Sequence, residues 1–176
     1  MASLSLYRRL LGARFDELPE VLKRFHAGAS RGTARGTFRV VRGHGMVRNI
    51  IAGLQRLPRA GENVPIRLEV KVNGDREQWL RHFPGRCTRT VQWADGNLLM
   101  ERFGLISFSS APVVQGSRVH YEFRRAWFAG IPLPVWLSPY IDGYVDAGDT
   151  GWRVAVHIFA PFLGEIVHYE GWVEPE

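Results

Sequence analysis

The sequence predicts an α+β fold, with N-terminal helices packed on a strongly curved antiparallel β-sheet or β-barrel of about eight or nine strands. Three observations lead there. Apolar residues recur at helical spacing up to Pro58, apart from one short alternating run, and at period two afterwards. Turn pairs such as Asn73-Gly74, Pro84-Gly85 and Asp95-Gly96 punctuate the second part. No linker, repeat or low-complexity run divides the 176 residues. They read as one domain, with a basic helix-rich segment over 1–60 and an antiparallel meander over 61–176.

Leu4, Tyr7, Leu10 and Leu11 fall at helical spacing and predict a helix over 4–12. Asp16 and Glu17 suit the cap and first turn of a second helix, marked by Leu18, Val21, Leu22 and Phe25. His26 closes it, where a cation suits the helix dipole. Residues 27–36 are small and glycine-rich and read as a loop. Phe38 and Val40 alternate with Arg39 in a strand over 37–42. Arg42-Gly43-His44-Gly45 turns the chain into a third helix, 46–56. Val47, Ile50, Ile51 and Leu54 are its apolar stripe. Ile66, Leu68, Val70 and Val72 then alternate with charged residues up to the Asn73-Gly74 hairpin. Further strands are predicted at 75–83, 87–93, 98–103, 105–110 and 117–128. Residues 131–139 hold three prolines and read as a loop or lid. The last strands are 140–147, 152–160 and 165–173.

Charge is lopsided. Residues 1–60 carry 12 Lys+Arg against 3 Asp+Glu, and residues 61–176 carry 11 against 14. A cavity-forming domain with a cationic rim is the expectation, suited to an acidic or amphipathic molecule. A hydrophobic content of 45% excludes disorder. The single Cys87 cannot close an internal disulfide, no apolar run is long enough to span a bilayer, and the N-terminus lacks signal-peptide order. Those features predict a cytoplasmic location. No helix-turn-helix, RNP or zinc-finger pattern is present, and the excess charge is confined to the first third, so no nucleic-acid partner is expected.

Several phrases occur together in order. They include LYRRLLGARFDELP, Phe38-Arg39-Val40-Val41-Arg42-Gly43, Trp79-Leu80-Arg81-His82-Phe83 and Glu101-Arg102-Phe103-Gly104. Trp127-Phe128-Ala129-Gly130-Ile131-Pro132-Leu133-Pro134 and Ile166-Val167-His168-Tyr169-Glu170-Gly171 follow. This order, over roughly residues 6–174, resembles a bacterial domain family of unknown function, DUF4166. The resemblance implies a frequent fusion to NAD(P)-binding modules that look like saccharopine dehydrogenase. A copy without such a module must either act alone or meet an NAD(P)-dependent oxidoreductase as its partner in trans. The chain itself has no G-x-G-x-x-G fingerprint, so no dinucleotide or other cofactor is expected.

Glu101 shares a strand face with Leu99 and Phe103, and the opposite face is also largely apolar. A carboxylate so placed is at least half buried and is a candidate acid or base, or the partner of a buried arginine. Arg81 alternates with Trp79 and Phe83 and is the natural partner, or else an anion contact. Tyr169 lies on the face of Gly171, which leaves room beside it, and is a candidate orienting or proton-donating group. His157 sits opposite Trp152, Val154, Val156 and Ile158, and is a proton shuttle only if its face lines the cavity. Arg42 and Arg48 flank the Gly-His-Gly turn and could hold an anion. Trp79, Phe103, Trp127 and Trp136 are the expected apolar contacts for a ligand. The six histidines show no metal-ligand spacing, so no metal is expected.

The reading is a cavity that binds a hydrophobic or amphipathic, acidic small molecule, extending to acid–base chemistry. If an enzyme, it would be a cofactor-independent cyclase, isomerase or lyase. The rival is an accessory module for the oxidoreductase. Peripheral contact with anionic membrane through residues 1–60 and the Trp127–Trp136 segment ranks below both.

Overall fold

A computed structural model describes residues 5–27 and 31–176. Helix α1 (Leu6–Leu11), a 3₁₀ turn (Gly12–Glu17) and α2 (Glu20–Ala27) precede β1 (Arg31–Arg42) and α3 (Met46–Leu54). Then come β2 (Gly61–Asn73), β3 (Arg76–Phe83), β4 (Arg86–Asp95), β5 (Leu98–Phe103), β6 (Ile106–Gln115) and β7 (Arg118–Phe128). Two-residue β8 (Ile131–Pro132), β9 (Tyr140–Ala147), β10 (Trp152–Ala160) and β11 (Gly164–Pro175) complete the chain. Every pairing is antiparallel, and β11 returns to β1, so ten strands close into a barrel with β8 as an appendage. The chain is 17% helical, so it is mostly β, and the α+β expectation gave the helices too much weight.

The meander from β2 to β7 turns five times through two-residue hairpins, such as Gly74-Asp75 between Asn73 and Arg76. Their tightness keeps the register of inward and outward residues unbroken across β2 to β5. Ile66, Leu68 and Val70 point in, while Arg67 and Lys71 point out. Charged residues on the outer wall and apolar ones inside are the reverse of a barrel that spans a bilayer.

β1 is longer than the glycine content of 27–36 suggested, and residues 28–30 lie outside the described residues. Gly32, Ala34 and Gly36 all face inward. A Cβ on Gly36 would run into the Trp172 carbonyl, and one on Gly32 would touch the Phe25 ring. Small residues there mark close approach rather than a loop.

The two ends of the barrel differ. α1, the 3₁₀ turn and α2 plug one end. Leu6, Tyr7, Leu10, Phe15 and Leu18 pack on Leu99 and Val119, and Phe25 meets Trp152 at 4.7 Å between ring centres. The second helix starts at Glu20, not at Asp16, because Pro19 sets the first turn and its carbonyl accepts from Leu22 and Lys23. The other end carries α3 and the connections 43–60, 129–139 and 161–163. α3 does not bury the stripe that its sequence offers. Only Ala52 is fully buried, and Val47, Ile50 and Leu54 are exposed. The helix is held instead by polar tethers. Arg86 donates to the Ala52 and Leu57 carbonyls at 3.2 and 2.8 Å, and the Thr88 hydroxyl to the Arg56 carbonyl at 2.9 Å.

Candidate functional site: the barrel interior

The barrel encloses a cavity of about 170 Å³. Ten-strand closure leaves an interior wider than side chains alone fill, as in barrels that hold one small ligand. The walls are mainly apolar, with a polar patch built by three successive strands. β3 points Glu77, Trp79, Arg81 and Phe83 inward, β4 Thr88, Thr90 and Gln92, and β5 Leu99, Glu101 and Phe103.

The Arg81 guanidinium lies 3.5 Å from the Glu101 carboxylate and donates to the Thr90 hydroxyl at 2.9 Å. The Gln92 amide donates to the other Glu101 oxygen at 3.0 Å. The network continues as Tyr7 donates to Gln92 at 3.4 Å and Tyr121 to Tyr7 at 3.3 Å. Burial opposes the Arg81 charge. Glu101, with Tyr169 and Tyr7, outweighs it and holds the guanidinium above its ordinary pKa. Burial also pushes the Tyr7 phenol well up and that of Tyr121 up to about 12. These hydroxyls therefore stay protonated and act as donors.

Among the side chains that line the cavity without a hydrogen-bond partner among the described residues are Tyr169 and His26. The Tyr169 ring stacks on Phe38 at 5.5 Å, and its hydroxyl projects toward the Arg81–Glu101 pair. Burial raises its pKa, with the Arg81 charge opposing. His26 packs against Tyr7 at 3.8 Å between ring centres, and burial pushes it down to about 3. It is neutral at physiological pH, so it is not the helix-closing cation expected from its position. Deeper still, buried Glu77 accepts from the Trp79 indole at 3.1 Å. Desolvation pushes Glu77 up to about 7, against the Trp79 bond, Arg9 and the Leu6 amide.

The cavity opens away from the helical plug. Its lining at the plugged end, including Tyr7, Leu22 and Trp152, is buried, whereas Phe108, Phe123, Ile141 and Ile158 are only half-buried. The barrel wall splits beside them. β7 and β9 pair only over Arg118–Tyr121 with Asp146–Gly143. Above that, the edge of the Phe123 ring meets Tyr140 at 5.8 Å.

A family model described as a domain of unknown function, DUF4166, matches residues 18–173. The chain belongs to this family. The match begins after α1 and the 3₁₀ turn, later than the resemblance read from residue 6. No curated protein and no solved structure matches the chain.

In this DUF4166 domain, five of the expected site residues converge. Glu101, Arg81, Tyr169, Trp79 and Phe103 all line the cavity. The other five do not. His157 points out of the barrel, with Nε2 3.0 Å from the Glu165 carboxylate, because β10 turns Trp152, Val154, Val156 and Ile158 inward. Arg42 lies outside the cavity, donates to the Pro58 carbonyl at 3.3 Å and to Asn49 at 3.4 Å, and keeps a buried Nε without a partner among the described residues. Arg48 donates to the His44 carbonyl one turn back. Trp127 faces outward, because a bulge on β7 shifts the alternation and places Ala126 inside opposite Phe108. Trp136 stands exposed in the 129–139 connection.

The space beside Tyr169 is taken. A Cβ on Gly171 would collide with the Thr37 carbonyl and the Phe38 ring, so the glycine admits Phe38 rather than a ligand. Gly171→Ala is expected to lower stability by about 1–3 kcal/mol and to disturb the Phe38–Tyr169 stack. Urea unfolding and near-UV circular dichroism measure both, and unchanged values would contradict this packing.

Sequence reasoning missed Glu77, His26, Tyr7, Gln92 and Tyr121. The signal for Glu77 was present, since it precedes Trp79 by two on the same strand face. Tyr121 likewise alternates with Val119 and Phe123. His26 follows Leu22 by four, on the buried stripe of α2.

Proposed function

We propose that this domain is a container for a mostly apolar small molecule with one oxygen-bearing polar end. The polar end lies at Arg81, Glu101 and Tyr169, and the apolar body runs toward Phe108, Phe123 and Ile141. One observation carries the reading: Tyr169 and His26 present polar atoms to a largely apolar cavity with no hydrogen-bond partner among the described residues. Polar atoms that face an apolar cavity without a partner gain free energy when a ligand supplies one. The charge balance inside favours a neutral polar end over the acid suggested by the chain's net charge. Arg81 is already matched by Glu101 and Thr90, and an added carboxylate would be a second buried anion.

The arrangement also supports acid–base chemistry. Glu101 can take a proton from a carbon next to a carbonyl and return it elsewhere on the same molecule, while Tyr169 donates to the carbonyl oxygen. That sequence is an isomerisation or cyclisation, balanced within the substrate. An accessory docking module would need no such cavity.

The test is native mass spectrometry of the purified protein, followed by extraction of whatever travels with it. A compound of defined mass is expected, held about tenfold more weakly by Tyr169→Phe, the effect of one lost hydrogen bond. A compound retained equally by Tyr169→Phe and by a bulky His26→Trp would place it outside the barrel and overturn the reading.

A further inference from the structure

We propose that the open end of the barrel docks on an anionic membrane surface and takes the ligand from it. Among the described residues, 15 large apolar side chains are exposed, and all except Trp172 lie at the open end. They include Met46 and Leu54 on α3, Leu105 in the β5–β6 turn, Val135 and Trp136 in the 129–139 connection, and Phe162 between β10 and β11. Val135 is 92% and Phe162 85% exposed, so these are projecting tips. Turns at the plugged end carry Asp75, Asn97, Ser117 and Asp149 instead. Exposed apolar clusters of this extent mark contact surfaces.

Charge selects the occupant. The connections at the open end, residues 43–60, 84–85, 104–105, 129–139 and 161–163, contain no Asp or Glu. Besides Arg48, which donates to the His44 carbonyl, they contribute Arg56 and Arg59, and the adjoining strand ends add Arg102 and Arg125. These four are exposed, and none forms an ion pair with a described residue. The acidic side chains near the open-end strand ends are Glu62, which pairs with Arg39, Asp142, which meets His120 at 2.7 Å, and Glu165, 3.0 Å from His157. Apolar and aromatic tips ringed by unpaired arginines match the headgroup boundary of an anionic leaflet. The charged outer wall, with Arg35, Arg67, Lys71 and Arg153 exposed, limits the contact to the tips. Phe123 and Tyr140 stand at the same end of the barrel as these tips, so a ligand partitioned in the leaflet reaches the barrel without crossing water. That loading role rests on the ligand reading above, whereas the membrane contact does not.

Co-sedimentation of the ligand-free protein with two kinds of vesicle tests the contact: phosphatidylcholine alone, and an equal mixture with phosphatidylglycerol. Binding to the mixture is expected, weakening as salt rises. Val135→Asp/Trp136→Asp and, separately, Phe162→Asp should each weaken it about tenfold or more, with far-UV circular dichroism unchanged. Arg56→Glu/Arg59→Glu should reduce it without altering the tips. No binding by the native protein, or binding indifferent to these variants, overturns the proposal. So does a concentration-dependent dimer that Trp136→Asp dissolves, because a second copy would then own the surface. If vesicles bind but no extracted compound depends on Tyr169, the contact stands and only the ligand reading fails.

Discussion

Glu101→Leu is expected to destabilise the barrel by about 3–5 kcal/mol, the range for removing one partner of a buried ion pair. Both side chains of the pair are mostly buried, at 17% exposure for Arg81 and 12% for Glu101. Without Glu101 the guanidinium keeps only Thr90 as a fixed acceptor and lies over the Trp79 ring at 5.5 Å. Gln92 loses its acceptor as well. The double variant Arg81→Met/Glu101→Leu should return to within about 1 kcal/mol of the native protein, because apolar replacements of similar volume remove both desolvation costs. Urea unfolding of the two singles and the double gives the coupling directly. A loss below about 1 kcal/mol for Glu101→Leu would mean that water screens the pair. The milder Glu101→Gln adds a functional readout. It leaves Arg81 uncompensated beside the cavity, so a carboxylate-bearing ligand should bind it better than it binds the native protein. The opposite order would argue for an acidic natural ligand.

The sequence carried this pair because strand alternation is strict on β3 and β5. Both strands lie between two-residue turns with unbroken registers, so Arg81 shares a face with Trp79 and Glu101 with Phe103. Alternation failed as a guide where the register slips. On β7 the bulge near Arg124 reverses the parity, and Trp127 ends outside. The helices were harder still. A helical stripe says that one side is apolar, but not whether anything covers it. The stripes of α2 and α3 read alike, yet α2 buries Leu22 against the barrel and α3 leaves Ile50 and Leu54 in the open. The difference arises from tertiary tethers, Arg86 and Thr88 reaching from β4, which no local pattern contains. The same blindness explains His26. Its spacing put it on a buried face, but its place at a helix C-terminus suggested a charge that burial does not permit.

His26 and Glu77 should give the domain opposing responses to pH that only single variants expose. His26 has a folded pKa of about 3 against an ordinary 6.5. Between those values the unfolded chain binds more protons, so His26 removes stability as pH falls. Glu77 has a folded pKa of about 7 against an ordinary 4.5. Between those values the folded chain binds more protons, so Glu77 removes stability as pH rises. The two slopes oppose each other between pH 4.5 and 6.5. Relative to the native protein, His26→Phe should therefore gain about 2 kcal/mol as pH falls from about 7 to 5, at 1.36 kcal/mol per unit over the part below 6.5. Glu77→Gln should gain about 3 kcal/mol as pH rises through its window, beyond any constant offset from altered bonding to Trp79 and Leu6. In the double variant the two gains offset each other between pH 4.5 and 6.5, so its difference from the native protein is flat there. Glu20, Asp146 and Glu170, held below their ordinary values mainly by hydrogen bonds to neighbouring side chains, add acid sensitivity common to all four proteins, and differences cancel it. Chemical denaturation at several pH values reads each slope. A His26→Phe difference that stays flat from pH 7 to 5 would show that His26 is solvated and protonates as it does in the unfolded chain. It would then present a cation, not a neutral imidazole, to whatever occupies the barrel.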